Sequence, residues 1–170
     1  TIGLSGNTDC YQPIERKYGI TRKLLEVCLE FRQPVSIITK NALIVRDIDL
    51  LQELANLNLT AVSISLTTLK EELRRVLEPR TATSKRKLQV IEQLSQAGIP
   101  VNVMLAPVIP ALNDDEIFSI AKQVSEHGAR TMHYQIVRLN GPNEAIFTDW
   151  VHQNFPDRAD KVLNQLKEMH

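Results

Sequence analysis

The sequence predicts an α/β fold with a parallel sheet and outer helices. Short apolar runs alternate with amphipathic stretches along the chain and begin about 30 residues apart, the length of a strand-helix-strand unit. In the third run, strict alternation places Ser63, Ser65 and Thr67 on one face. A sheet covered by helices on both faces reads as continuous Val, Ile and Leu. The polar face therefore favours an incomplete barrel that holds a ligand.

The apolar runs predict five strands. Five strands do not close a barrel, and the chain starts at Thr1 inside the first run without a polar leader. We therefore expect an excised piece of a longer protein, with a first strand missing upstream. The strands are expected at about 1–6, 34–39, 61–67, 100–106 and 131–138.

Amphipathic helices are predicted after the strands. Thr21 is the expected N-cap of the first helix, whose inner stripe includes Leu24, Leu25, Cys28 and Phe31. Gly98 and Gly128 are placed to end two later helices, and Asn113 to cap one. We expect one domain over 1–170, with 141–170 as its helical extension. The helices are expected at about 21–32, from 47 to 57, and at 84–97, 114–127, 143–154 and 158–169.

Composition excludes several classes of protein. Lys plus Arg and Asp plus Glu both total 20, so no net charge draws the chain to nucleic acid, and any such binding must be local. No apolar run reaches the roughly 20 residues that span a bilayer, which predicts a cytoplasmic protein without a membrane partner. Two cysteines build no disulfide framework. Zinc-ligand spacing and the common glycine-rich nucleotide motifs are absent, and no metal ligands are predicted.

Polar side chains follow the predicted strands, where parallel α/β folds bind ligands. An Asp, a Lys, hydroxyls and an Arg at one rim would suit a zwitterionic, polyhydroxylated ligand, such as an amino acid joined to a nucleoside. The carboxylate would contact Lys40 or Arg138, the ammonium Asp9, and the ribose Ser65 or Thr67. The candidate residues are Asn7, Thr8, Asp9, Lys40, Ser65, Thr67 and Arg138.

Each candidate has a structural alternative. Thr8 and Asp9 also suit an Asx-type turn after the strand. Lys40 suits a solvated strand end, Ser65 and Thr67 suit hydroxyls satisfied inside the barrel, and Arg138 suits an ion pair with Glu78 or Asp9. The basic run Arg80, Lys85, Arg86 and Lys87 fits a phosphate-bearing substrate or a solvated helix face.

Several motifs resemble radical S-adenosylmethionine (radical SAM) proteins of the group related to spore photoproduct lyase. They occur in the family's order over nearly the whole chain: "GNTDCYQPIE", "VSIITKN", "VSISLTTL", "LEPRTATSKRKLQVIEQLSQAGIPV" and "VMLAPVIPALND". The resemblance implies a partial (β/α)6, TIM-like barrel. It implies an iron-sulfur enzyme that reductively cleaves S-adenosylmethionine beside a [4Fe-4S] cluster. The resulting 5'-deoxyadenosyl radical abstracts hydrogen from a substrate, as in a lyase or DNA-repair reaction.

The resemblance also implies roles for the strand-end residues. Asn7, Thr8 and Asp9 match the position that faces the methionine amino group, and Lys40 matches a lysine that holds the carboxylate. Ser65 and Thr67 match the ribose-facing strand end, and Arg138 a last-strand arginine near the cofactor. Cys10 lies close to, but out of register with, a cysteine that donates hydrogen in the lyase, so it is a candidate catalytic residue.

One family motif is absent. The family holds its cluster with a C-x-x-x-C-x-x-C loop after the first strand, because three thiolates ligate three of the four irons. Cys10 and Cys28 are too few and differently spaced. We therefore expect this chain alone to bind no cluster and to be inactive. In the full-length protein, the family implies an electron donor such as a flavodoxin or ferredoxin.

Two other functions stay open from the residues. Lys40 could be the Schiff-base amine of a barrel lyase or aldolase. Alternatively, a degenerate barrel could bind S-adenosylmethionine or a protein partner without catalysis. The substrate is not indicated, since a fold and cofactor are shared more widely than a reaction.

Overall fold

A single sheet of five parallel strands forms the centre of the structure, a computed structural model that describes residues 1–169. Helices flank the sheet, so the predicted α/β fold with five parallel strands is confirmed. The strands begin and end within a few residues of their predicted positions. They are β1 (Ile2–Leu4), β2 (Val35–Thr39), β3 (Thr60–Ser65), β4 (Val101–Val108) and β5 (Thr131–Ile136).

The strand order follows the chain, β1-β2-β3-β4-β5. Connections between parallel strands are right-handed, so a sheet that always grows in one direction carries all its crossover helices on one face. A doubly wound sheet would instead reverse its order at a switch point and carry helices on both faces. The sequential order is therefore that of a barrel opened along one side.

Eight α-helices lie within residues 1–169, and none of them has the length and apolar content needed to cross a membrane. Two short helices were absent from the sequence prediction, α1 after the first strand-end loop and α4 after the third. The helices are α1 (Glu15–Tyr18), α2 (Ile20–Glu30), α3 (Ile48–Asn56), α4 (Glu71–Leu77), α5 (Ser84–Gln96), α6 (Ile117–Glu126), α7 (Pro142–Asn154) and α8 (Ala159–Glu168).

The two faces of the sheet differ in polarity. The main core lies on the helix-covered face, where Ile37, Val62 and Val103 are fully buried. The register pairs Ser63 with Asn102 on the other face, and both are only half-buried. The polar face that the sequence predicted for β3 is therefore present, and it faces away from the packed helices.

A second apolar cluster joins the C-terminal helices to the rim of the sheet. Val151 of α7 and Val162 of α8 pack with Leu73 of α4 and with Ile109 and Leu112, which follow β4. Burial of these side chains fixes α7 and α8 against the loops beyond the third and fourth strands.

Candidate functional site

The carboxyl ends of the five strands lie at one edge of the sheet because all neighbouring pairs are parallel. Every candidate residue from the sequence lies at this edge or in the loop that follows it. Hydrogen bonds and ion pairs link the loops after β1, β2, β3 and β4 into a polar rim, defined here as residues 7–11, 39–41, 65–70, 78–87 and 113–116.

Asp9 joins the first strand-end loop to the end of β2. Its Oδ1 accepts from the backbone N–H of Tyr11 at 2.9 Å, which confirms the Asx-turn alternative. The hydroxyl of Thr39 donates to both carboxylate oxygens, at 2.8 and 3.0 Å, and the N–H of Lys40 donates to Oδ2 at 2.8 Å. The carboxylate therefore positions Lys40, and its contact with a ligand ammonium stays a prediction.

Lys40 extends from the end of β2 toward the loop after α4. Its Nζ lies 2.5 Å from Oε1 of Glu78, and its side chain is 40% exposed. The other carboxylate oxygen of Glu78 accepts from Nζ of Lys87 at 3.0 Å. Lys87 is buried, with 2% of its surface exposed, so it does not lie on the solvated helix face that was the alternative for the basic run. Glu78 therefore has two lysine partners at the rim.

The end of β3 supplies two buried hydroxyl residues, Ser65 and Thr67. Thr67 Oγ1 has no hydrogen-bond partner among residues 1–169, although it is shielded from solvent. A buried hydroxyl without a partner costs roughly 1–3 kcal/mol, so such groups usually indicate a missing ligand, water or ion. Thr67 therefore does not fit the alternative in which its hydroxyl is hydrogen-bonded to other residues of the described chain.

Three candidates lie at the surface of this edge. Asn7 and Thr8 are exposed in the bend after β1. Arg138 is exposed two residues beyond β5, and within residues 1–169 it forms no ion pair with Glu78 or Asp9, whose partners are given above. These three side chains are accessible to a ligand, and their roles in binding stay predictions.

Two buried residues that sequence reasoning did not select build the rim. Asn113 is fully buried; its Oδ1 accepts from the N–H of Ile109 at 2.6 Å, and its Nδ2 donates to the carbonyl oxygens of Thr67 and Pro107 at 2.8 and 3.0 Å. Glu116 accepts from the Thr68 hydroxyl at 2.5 Å and from the N–H of Leu69 at 2.8 Å. The run "PALND" predicted a helix start with Asn113 as its cap, but the Asn113 side chain makes no capping hydrogen bond to that helix.

Behind the Asp9 turn lies a buried charged cluster. The hydroxyl of Tyr11 donates to Oδ2 of Asp47 at 3.1 Å, and Asp47 also accepts from Arg46 at 2.8 Å and from Arg22 at 3.1 Å. Burial, followed by the charge of Asp47, raises the pKa of Tyr11 above its ordinary value. The Tyr11 and Asp47 side chains are inaccessible to a ligand. This cluster therefore stabilises the loop and is not a candidate reaction site.

Cys10 is half-buried beside the Asp9 turn. Its backbone N–H donates to the Ser5 hydroxyl at 2.9 Å, and its carbonyl oxygen accepts from the Thr21 hydroxyl at 2.7 Å. Thr21 lies within α2 rather than at its N-cap, which is Gly19, so that prediction is wrong. Burial raises the pKa of the Cys10 thiol, which lowers the thiolate fraction at neutral pH. The environment does not activate this cysteine.

Cys28, the other cysteine of the chain, is buried in α2, and burial raises the pKa of its thiol. In the part of the chain that the structure describes, no group of three or more His, Cys, Asp or Glu side chains is placed to hold a metal ion. A [4Fe-4S] cluster with one open iron needs three thiolates. Two cysteines do not meet that requirement, so the residues of this chain do not fit the cluster.

Comparison with known proteins gives a family match over most of the chain. The model of the Radical SAM superfamily matches residues 1–124. The protein Rv2578c of Mycobacterium tuberculosis is 31% identical over 163 residues, which cover 95% of this chain and 48% of that protein. The protein MJ0683 of Methanocaldococcus jannaschii is 26% identical over 164 residues, covering 96% of this chain and 60% of that protein. The chain thus spans about half the length of these curated relatives.

Solved structures show a similar fold. A spore photoproduct lyase mutant with bound AdoMet and dinucleoside spore photoproduct aligns with a TM-score of 0.63 and 16% identity, over 91% of this chain and 44% of that one. SuiB of Streptococcus suis, bound to S-adenosylmethionine, aligns with a TM-score of 0.56 and 15% identity, over 82% of this chain and 35% of that one. At these identities the alignments show that the fold is shared.

Proposed function

This chain belongs to the radical SAM superfamily, and we propose that its polar rim forms the S-adenosylmethionine-binding part of a radical SAM enzyme. In such an enzyme, bound S-adenosylmethionine would supply a 5'-deoxyadenosyl radical for hydrogen abstraction, with the electron for its cleavage coming from a [4Fe-4S] cluster that the whole protein would hold. The observation that carries the proposal is the convergence, at one edge of the sheet, of the partly exposed Lys40 ammonium and the buried Thr67 hydroxyl, which has no hydrogen-bond partner in the part of the chain that the structure describes. A ribose hydroxyl is a suitable partner for it.

The donor set of the rim suits the other parts of the same ligand. Lys40 carries a partly exposed ammonium that can donate hydrogen bonds to a carboxylate, and Ser65 lies on the same strand end as Thr67. Asp9 has both oxygens engaged by backbone and hydroxyl donors, so its main role in this proposal is to hold the loop and Lys40 in place. Exposed Asn7, Thr8 and Arg138 complete the edge.

This chain does not supply the three thiolate ligands that a [4Fe-4S] cluster needs. Since Cys10 and Cys28 do not make a three-thiolate site, we propose no chemical step on this chain alone. The enzyme's substrate, its electron donor and any lyase or repair reaction belong to the proposal for the whole protein. Cys10 stays a candidate hydrogen donor there, although its burial and raised pKa do not favour that role.

Titration calorimetry of S-adenosylmethionine against the purified chain tests the site. Lys40→Ala and Thr67→Val should each weaken binding by about tenfold, the usual loss for one charged or buried hydrogen bond. Lys122→Ala is the matched control, because Lys122 is 75% exposed on α6, away from the rim. Equal affinity in wild type, Lys40→Ala and Thr67→Val would refute the assignment.

Of the alternatives, binding without catalysis shares this site and predicts the same titration. A Schiff base on Lys40 requires a neutral, accessible amine. The ammonium of Lys40 is instead paired with Glu78 at 2.5 Å, so no observation favours that reaction. Borohydride treatment with a carbonyl compound should therefore label Lys40 no faster than an exposed surface lysine such as Lys122.

A further inference from the structure

Glu78 is a buried carboxylate shared by two lysines at the polar rim. Only 7% of Glu78 and 2% of Lys87 are exposed, whereas the Lys40 side chain is 40% exposed. Lys87 Nζ lies 3.0 Å from Oε2 and Lys40 Nζ lies 2.5 Å from Oε1. Lys87 is therefore buried within the protein, whereas Lys40 is partly exposed to solvent.

The charges of this group do not cancel. Two ammonium groups and one carboxylate leave one net positive charge. The buried guanidinium of Arg74 lies nearby but pairs with Glu71 at 2.7 Å and gives Glu78 only a hydrogen bond to its carbonyl oxygen. The excess positive charge is therefore available at Lys40, the exposed member.

Burying these groups costs free energy, and the pKa shifts show which interactions oppose that cost. Burial raises the pKa of Glu78, but Lys87 and Lys40 outweigh it and bring the pKa below 4.5. Burial lowers the pKa of Lys87 below 10.5, although Glu78 opposes this. A hydrophobic residue in place of Lys87 alone would avoid the desolvation of an ammonium, but it would leave the buried Glu78 carboxylate with Lys40 as its remaining ion-pair partner.

We propose that Lys87 is a positioning residue that balances the charge of Glu78, so that Glu78 can orient Lys40 without cancelling its attraction for a ligand carboxylate. An ammonium has three N–H donors, so Lys40 can contact Glu78 and a second carboxylate together. Without Lys87, Lys40 and Glu78 would form a neutral pair with little attraction for an anion. This inference rests on the proposed function, because it takes the carboxylate of S-adenosylmethionine as the ligand group.

The test compares S-adenosylmethionine with decarboxylated S-adenosylmethionine by titration calorimetry. The ratio of their dissociation constants isolates the carboxylate. Wild type should prefer the carboxylate-bearing ligand by about tenfold or more. Lys87→Met should reduce that preference by about tenfold with little change in affinity for the decarboxylated ligand. Lys122→Met, an exposed lysine on α6, is the control and should keep the wild-type preference.

The double variant Glu78→Gln with Lys87→Met restores one net positive charge and leaves no buried charge unpaired. It should fold even if Lys87→Met does not, and it should keep the wild-type preference within about threefold. A folded Lys87→Met that keeps the full preference, or a folded double variant that lacks it, would overturn this inference alone. Wild type that binds neither ligand, or binds both equally, would overturn the proposed carboxylate site as well.

Discussion

Asn113 is fully buried, and its amide pairs with three backbone groups, one in the loop after β3, one near the end of β4 and one directly after β4. A buried carbonyl oxygen or N–H that loses such a partner cannot form a replacement hydrogen bond with water. The position of Thr67 at the candidate site therefore depends on a residue 46 positions later in the chain.

Replacing Asn113 with Ala is expected to lower the free energy of unfolding by about 2–3 kcal/mol, because three buried hydrogen bonds lose their partner. Urea denaturation followed by circular dichroism measures the change. Asn154 is the matched control because it is exposed and its side chain donates to the carbonyl oxygen of Trp150 within α7. Asn154→Ala should cost less than about 0.5 kcal/mol. Equal losses in the two variants would contradict this account.

Glu78 predicts a specific pH dependence of stability. Its pKa is lowered in the folded state, so the stability it contributes is fully present above its ordinary pKa of 4.5. That contribution is lost as the pH falls below 4.5 and through the lowered folded value. The gap in the free energy of unfolding between wild type and Glu78→Gln should therefore be constant near pH 7 and narrow in acid. A gap that widens below pH 4.5 would contradict the ion pairs at Glu78.

At the scale of elements, α5 and α6 are followed by glycines that end them in the left-handed region. Gly98 has a φ of +76° and Gly128 a φ of +91°. Both stops were predicted from the sequence, because only glycine takes this conformation without strain. The two positions differ in space: an added Cβ meets nothing within 4 Å at Gly98, but at Gly128 it would lie 2.2 Å from the Ser95 hydroxyl of α5.

Gly128→Ala should therefore cost more than Gly98→Ala. The strain of a left-handed alanine is about 1 kcal/mol in each case, and the contact with Ser95 should raise the cost at Gly128 to about 2 kcal/mol or more. The Ser95 hydroxyl also donates to the Gly128 carbonyl oxygen at 3.0 Å, so the two helices would have to separate locally. Thermal unfolding of both variants checks the order, and equal shifts in Tm would exclude a close contact between these helices.

The strands and long helices could be predicted because they are periodic in the chain, whereas several contacts could not. Leu25 and Cys28 lie on the buried stripe of α2 as predicted, but Leu24 and Phe31 are 45% and 71% exposed. Helical periodicity gives the direction of a stripe, but its width depends on which neighbours pack against it. The seven-residue α4 was missed because its pattern is too short to show a period.

The buried charges of the rim show the same limit. Lys87 was selected only as part of a basic run, and Glu78 only as a partner for Arg138. Lysine and glutamate are seldom buried unless paired. Glu78 and Lys87 pair across nine positions, and Lys40, which directly follows β2, is the second partner of Glu78. The positions of the strand ends in the sequence were enough to predict the polar rim. The ion-pair partners within the rim could be identified only from the structure.

For the whole molecule, the fold and the family match agree, and the fold places the candidate site residues at one edge of the sheet. Within residues 1–169, five parallel strands in sequential order place the crossover helices on one face of the sheet and bring five strand ends to one edge. Two cysteines do not satisfy the cluster of the superfamily, so anaerobic reconstitution of this chain with iron and sulfide should leave well under one iron per chain. About four irons per chain, with a broad visible charge-transfer band, would contradict that prediction.

The most direct test of the central claim is amide hydrogen-deuterium exchange with and without S-adenosylmethionine. The account predicts that the ligand slows exchange at the carboxyl edge, in residues 5–11, 39–43 and 65–70, where parallel strands end. The loops at the opposite edge, residues 57–59 and 98–100, should exchange at the same rate in both samples. Slowing confined to the opposite edge, or to neither edge, would contradict the assignment of the polar rim as the binding site.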